Sequence, residues 1–191
     1  MARILAFAGS ARAQSFNKSL VKIAAAGAEA AGAQVTTIDL ADYPMPLFNQ
    51  DLEAESGMPD GAGRFKALLL QHDALLIASP EYNSAFSPLL KNAIDWASRA
   101  TGDDEPPLAA FRGKYAALMA CSPGGLGGIR GLVFLRMLLG NIGVTVLPEQ
   151  QAVPNISDAF NDDGSLANPR RHQAIRDLGA RLAQVTATVF G

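Results

Sequence analysis

The sequence predicts an α/β fold, a five-stranded open parallel sheet with helices on both faces, and three observations predict it. Short apolar runs alternate along the chain with longer stretches whose apolar residues recur at helical spacing. Most of the short runs are almost wholly apolar, as expected of parallel strands buried on both faces. Several of them stop abruptly at glycine, serine or proline, the residues that turn a strand into a crossover. The 191 residues, 49% hydrophobic and 18% charged, supply enough apolar surface for a core and are expected to form one domain over 1–191.

Arg3 to Ala8 (RILAFA) is the first strand, ended by Gly9-Ser10. From Asn17 to Ala31 the residues Leu20, Val21, Ile23, Ala24 and Ala28 recur at helical spacing, with Gly32 at the C-terminal cap. Gln34 to Ile38 is short and β-branched, the second strand. Tyr43 to Gly63 holds three prolines and three glycines and is expected to be one long surface loop. Its Met45, Leu47, Phe48, Leu52 and Met58, with Trp96 on a later helix, are expected to form a subunit interface. Arg64 to His72 reads as a helix and Ala74 to Ala78 as the third strand, closed by Ser79-Pro80. Ser87-Pro88 offers an N-cap hydroxyl and a first-turn proline to a helix whose stripe is Leu89, Leu90, Ala93, Ile94 and Ala97. Tyr115 to Ala120 is the fourth strand, Gly127 to Leu139 a helix, Val144 to Leu147 the fifth strand and Pro169 to Val189 the last helix. Right-handed crossovers place those helices on both sides of the sheet.

Sixteen basic against eighteen acidic residues give a net charge of -2, so no sequence-wide basic field exists to hold nucleic acid. No run approaches the roughly 18 apolar residues of a membrane span. Cys121 is the only cysteine, and His72 and His172 stand a hundred residues apart, which excludes a disulfide framework and leaves few ligands for a metal. A cytoplasmic location is expected.

Ligands of open parallel sheets bind beyond the carboxyl ends of the strands, which directs attention to three loops. The first, Gly9 to Asn17, runs into a helix N-terminus and carries Ser10, Ser15 and Asn17 beside one cation, Arg12. Unpaired amides and the positive end of the helix dipole suit a phosphate there. The G-x-G-x-x-G and G-x-x-x-x-G-K-[ST] spacings are absent, so a monophosphate fits better than a pyrophosphate or triphosphate. The second loop, Ser79 to Ser84, sets a proline and Tyr82 where they could flank a flat ligand. The third, Ser122 to Gly128, has four glycines in seven residues, which would let backbone approach a ligand closely. Each loop also has a plain reading: an N-cap with a solvated charge, a β-turn with Tyr82 over the core, and a flexible connection. Cys121 reads as a small buried hydrophobe. Taken together, a phosphate cradle beside a flat apolar slot suits flavin mononucleotide.

The G-S-x-R-x-x-S-x-N pattern at Gly9 to Asn17, the P-E-Y-N at Pro80 to Asn83 and the L-K-N-A-I-D-W at Leu90 to Trp96 resemble the NADPH-dependent FMN reductase family, which includes chromate and quinone reductases. The resemblance extends to Gly113-Lys114 and to the Ser122 to Gly128 loop. It implies a flavodoxin-like fold, bound FMN, NADPH or NADH as electron donor, and homodimers or homotetramers. Carried over by position, Ser10, Arg12, Ser15, Phe16 and Asn17 match the phosphate side of the motif, Pro80, Glu81, Tyr82 and Asn83 the ring side, and Ser122 a further flavin contact. The implied activity is an FMN-dependent NAD(P)H oxidoreductase that passes hydride through FMN N5 to quinones, chromate, azo compounds or free flavin. No protein residue is expected to be catalytic, since the cofactor carries the chemistry. The alternative is an electron-transfer FMN-binding protein with no NAD(P)H activity of its own.

Overall fold

The computed structural model describes residues 1–191. In chain order the strands and helices are β1 (Arg3–Ala8), α1 (Phe16–Ala30), β2 (Gln34–Asp39), α2 (Gln50–Ser56), α3 (Asp60–Gln71), β3 (Ala74–Ala78), β4 (Glu81–Tyr82), β5 (Ala85–Phe86), α4 (Pro88–Ala97), β6 (Tyr115–Cys121), α5 (Ile129–Asn141), β7 (Thr145–Val153) and α6 (Pro169–Phe190). Five strands form one sheet in the order β2-β1-β3-β6-β7, every pairing parallel. The order reverses between β1 and β3, which opens a crevice beyond their carboxyl ends.

The period of two along each strand divides the core. Ile4, Ala6, Ala8, Leu76, Met119 and Cys121 face α1 and α6, while Leu5, Phe7, Leu75, Ile77 and Leu118 face the layer of α3, α4 and α5. The first layer is rich in alanine, and its two helices meet through glycine. A Cβ on Gly179 would lie 1.9 Å from the Ala24 carbonyl oxygen, and one on Gly27 would lie 2.1 Å from that of Arg176.

Four boundaries differ from the sequence expectation, each for a local reason. Tyr43 to Gly63 is not one loop. Asn49 caps α2 by accepting from the Asp51 amide at 2.8 Å, Asp51 and Glu53 lie in the favourable first turn, and Gly57 ends the helix at φ +71°. α3 starts at Asp60, four residues early, because Gly61 and Gly63 sit inside a helix that packs Gly61 against Pro44. α5 starts at Ile129, since Gly127 and Gly128 hold left-handed φ values of 62° and 88°. β7 continues past Pro148 through a register shift, tolerated because β7 is an edge strand.

The apolar residues assigned to an interface also lie differently. The segment before α2 folds onto α4: the Pro46 carbonyl accepts from Asn92 Nδ2 at 2.9 Å and from Trp96 Nε1 at 2.8 Å, and Phe48 meets the fully buried Trp96 edge to face at 5.0 Å. Met45, Phe48, Leu52 and Met58 are half-buried within their own chain, and only Leu47 stands exposed.

Candidate functional site

The three loops singled out by sequence follow β1, β3 and β6, which are neighbours in the sheet, so they meet along one edge. The first is set by a close approach. Ser87, the N-cap of α4, accepts from the Leu90 amide at 3.2 Å and donates to the Gly9 carbonyl at 2.6 Å. A Cβ at Gly9 would crowd Ser87 Oγ at 3.0 Å and Leu90 Cβ at 3.1 Å. The capping role of Ser87 is legible in sequence, whereas its bond to a loop 78 residues away depends on topology alone.

Beyond Gly9, Ser10 is buried and its Oγ accepts from the Arg12 amide at 3.4 Å. Ser15 occupies the N-cap of α1, yet its side chain makes no capping bond and no acidic residue lies in the first turn. The helix start therefore keeps free N–H groups beside a buried hydroxyl. Arg12 is exposed, pairs with no carboxylate, and rests over the Phe16 ring at 5.3 Å. An uncapped helix start with one uncommitted guanidinium is a donor set for a phosphate.

Asn17 does different work from the rest of its motif. Its side chain is buried and spans to β6, with Nδ2 donating to the Cys121 carbonyl at 3.2 Å and Oδ1 accepting from the Cys121 amide at 3.1 Å. Both polar atoms are spent on holding the end of β6 beside the first loop.

The second loop is a tight hairpin. Tyr82 pairs with Ala85, and the two linking residues Asn83 and Ser84 adopt φ values of 49° and 71°, the left-handed pair of a two-residue turn. The alternative of Tyr82 covering the core does not hold, since the residue is 54% exposed. Pro80 is half-buried at the start of the turn, its carbonyl accepting from Ser79 Oγ at 3.1 Å. Glu81 is the hairpin's anchor. Its carboxylate accepts from the Arg130 and Gly131 amides at 3.1 Å each and from Arg130 Nε at 2.8 Å, capping α5 where glycine provides no side chain. Burial works to raise the Glu81 pKa, but the bonds from the Arg130 side chain and the α5 amides outweigh it and hold the carboxyl below its usual range.

The third loop is tied down rather than flexible. The Ser122 amide donates to Val153 O at 3.2 Å, its carbonyl accepts from Ile156 at 3.1 Å, and its Oγ donates to Gly124 O at 3.3 Å. Gly127 is close-packed: a Cβ there would meet Pro154 N and Val153 C at 2.8 Å. Gly125 faces open space, where backbone is accessible to a ligand, while a Cβ at Gly124 would meet only Ser122 Oγ at 3.8 Å. Burial pushes the Cys121 thiol up to about 12, so it stays protonated. FMN fits this edge, with phosphate donors at the start of α1 and exposed backbone turns on the neighbouring two loops. When bound, FMN supplies two-electron chemistry by accepting and donating hydride. The protein's part is to bind, orient and flank it.

Comparison with known proteins agrees. Residues 2–158 match the model of the NADPH-dependent FMN reductase family. The chain is 34% identical over 175 residues to an NAD(P)H-dependent FMN reductase of Pseudomonas aeruginosa, covering 91% of this chain and 89% of that one. It is 32% identical over 164 residues to a quinone reductase of Pseudomonas putida, covering 85% and 83%. Among solved structures, a flavoenzyme NAD(P)H:(acceptor) oxidoreductase of Paracoccus denitrificans aligns over 98% of both chains with a TM-score of 0.81 and 27% identity. A flavodoxin from the domain Archaea, 13% identical, shares the fold with a TM-score of 0.65. With its flavodoxin-like sheet and these relatives, the chain belongs to the NADPH-dependent FMN reductase family and is an FMN-dependent NAD(P)H oxidoreductase.

Proposed function

We propose that the chain, acting as a single FMN-binding domain over residues 1–191, carries electrons from NADPH or NADH to quinones, with chromate, azo compounds and free flavin as further acceptors. Ser10, Arg12, Ser15 and the amides at Phe16 and Asn17 hold the phosphate. Pro80, the Glu81–Asn83 backbone and Ser122 flank the ring, with Glu81 and the Asn17 side chain acting through the elements they fix. The observation that carries this reading is the helix start of α1, which has no side-chain cap and no acidic residue but an unpaired arginine alongside. The quinone reductase of Pseudomonas putida supports the acceptor class. A cytoplasmic location fits the single buried, unpaired Cys121.

The same reading takes the chain as a homodimer or homotetramer, through α5 rather than the segment before α2. Val133, Phe134 and Met137 stand exposed on α5 beside a groove of about 450 Å³ that Phe86, Ile94 and Leu138 line. A second copy seated there would bury apolar surface that solvent otherwise meets, next to the hairpin that carries Tyr82.

The test is a visible spectrum of the purified protein supplied with FMN, then anaerobic addition of NADH and NADPH, then a quinone. Bound flavin is expected to bleach with a pyridine nucleotide and to recover with the quinone. A protein that binds no FMN sinks the site assignment, and a flavoprotein that no pyridine nucleotide bleaches is an electron carrier. Light scattering is expected to show a dimer or larger species that a Phe134→Asp, Met137→Asp double variant reduces to monomer.

A further inference from the structure

Beyond residue 158, where the family match ends, the chain forms a small hairpin that no sequence motif announces. Phe160 bridges Leu166 in antiparallel fashion, the Ala167 amide donates to Ala159 O at 2.8 Å and the Asn161 amide to Ser165 O at 2.9 Å. Gly164, at φ +80°, makes the turn. The hairpin is fixed at both ends. Ile156 is buried and its amide donates to Ser122 O, while buried Leu166 donates its amide to His172 Nδ1 at 3.2 Å at the start of α6. Its one aromatic side chain is Phe160, whose ring lies nearly parallel to that of Phe16, with centroids 6.0 Å apart and planes 6° from parallel. Phe16 carries the Arg12 guanidinium over its ring.

We propose that Phe160 is a positioning residue for the phosphate end of FMN, holding Phe16 in the orientation on which Arg12 rests. This rests on the assignment of Arg12 to the phosphate. Arg12 is an exposed side chain with four rotatable bonds, no ion pair and no hydrogen bond of its own. Left free, it would give up most of its rotamer entropy on meeting a phosphate. A guanidinium is weakly hydrated and lies readily on an aromatic face, so the Phe16 ring restricts it before the ligand arrives. Phe16 is itself only half-buried at the first position of α1, and the Phe160 ring stacked against it limits where it can turn. The loop around Ser122 and the loop around Arg12 are thereby joined through one hairpin.

Removing a support of this kind affects the phosphate and not the ring, so FMN and riboflavin, which lacks the phosphate, separate it from a general structural role. Phe160→Ala is expected to raise the FMN dissociation constant about three- to tenfold, the effect of one aromatic pair, while riboflavin affinity stays unchanged. Phe160→Tyr is expected to bind FMN as the parent does. Phe160→Leu, which keeps an apolar side chain and serves if the alanine variant fails to fold, is expected to match the alanine variant. In an Arg12→Ala background, Phe160→Ala is expected to add nothing. Equal losses for FMN and riboflavin, full affinity in Phe160→Leu, or additive effects of the two alanine substitutions would overturn the proposal while leaving the phosphate assignment intact. Unchanged FMN affinity in Arg12→Ala alone would overturn both.

Discussion

Replacing Asn17 by alanine separates two roles for this residue, ligand and tie, by their energies. Its Nδ2 and Oδ1 bond the Cys121 carbonyl and amide at 3.2 and 3.1 Å, and the residue is buried with 4% of its surface exposed. Alanine removes both partners at once and leaves a buried backbone donor and acceptor at the end of β6. An unsatisfied buried polar group costs about 1–3 kcal/mol, and water entering the space left by the side chain recovers part of it, so the loss expected is about 2–4 kcal/mol. Urea denaturation of the flavin-free protein measures it without interference from ligand binding. Asn17→Asp sharpens the test. The carboxylate still accepts from the Cys121 amide but turns its second oxygen on the Cys121 carbonyl, so the folded state favours the protonated form. The folded pKa then lies above the unfolded one, and the stability missing at neutral pH returns as the pH falls through the folded value. A loss below about 0.5 kcal/mol in Asn17→Ala, the range of an ordinary surface change, together with a sharp fall in FMN affinity, would refute the tie and make Asn17 a direct ligand.

Other perturbations test the frame around the site. Arg12→Ala is expected to weaken FMN binding by about 1.5–3 kcal/mol in equilibrium dialysis, with the melting temperature unchanged because the side chain is exposed and unpaired. Glu81→Ala is expected to lower stability by about 1–3 kcal/mol in urea, since the α5 amides lose their acceptor, and to loosen FMN because the hairpin is no longer pinned. Glu105 is held at about 2, first by its hydrogen bond from the buried Lys66 and then by those from Thr101. A carboxyl depressed in the folded state stabilises fully above its unfolded value and loses that contribution as the pH falls through the folded one. Glu105→Gln is therefore expected to flatten the decline in stability between about pH 4.5 and pH 2, read from denaturation midpoints across that range. Gly179→Ala is expected to destabilise by about 1–3 kcal/mol in the same assay, because its Cβ would sit 1.9 Å from Ala24 O and α1 and α6 must part to admit it.

The amino-acid sequence alone determined the alternation of strands and helices, the three loops that meet along one edge of the sheet, and the family. Those properties are local: Ile4 to Ala8 is apolar at every position because both faces of β1 are buried there, and the Ser87-Pro88 cap works wherever a helix starts. Loop composition was legible for the same reason: Arg12 and Ser15 stand at the start of α1 with no ion pair and no side-chain capping bond. Only the tertiary structure decided which polar side chains are already spent. Asn17 and Glu81 carry the expected motif letters, yet one ties β6 to the first loop and the other caps α5, through partners 104 and about 50 residues away. The same holds for the segment before α2, whose apolar residues mark an interface by composition but fold onto Trp96, because the Pro46 carbonyl accepts from both Asn92 and Trp96. Phe160 lies outside every motif, and its place against Phe16 exists only once β7 has brought the chain back to the edge where α1 begins. A sequence pattern states what each residue can offer, and the packing of distant elements determines which offers are taken up inside the protein and which remain for a ligand.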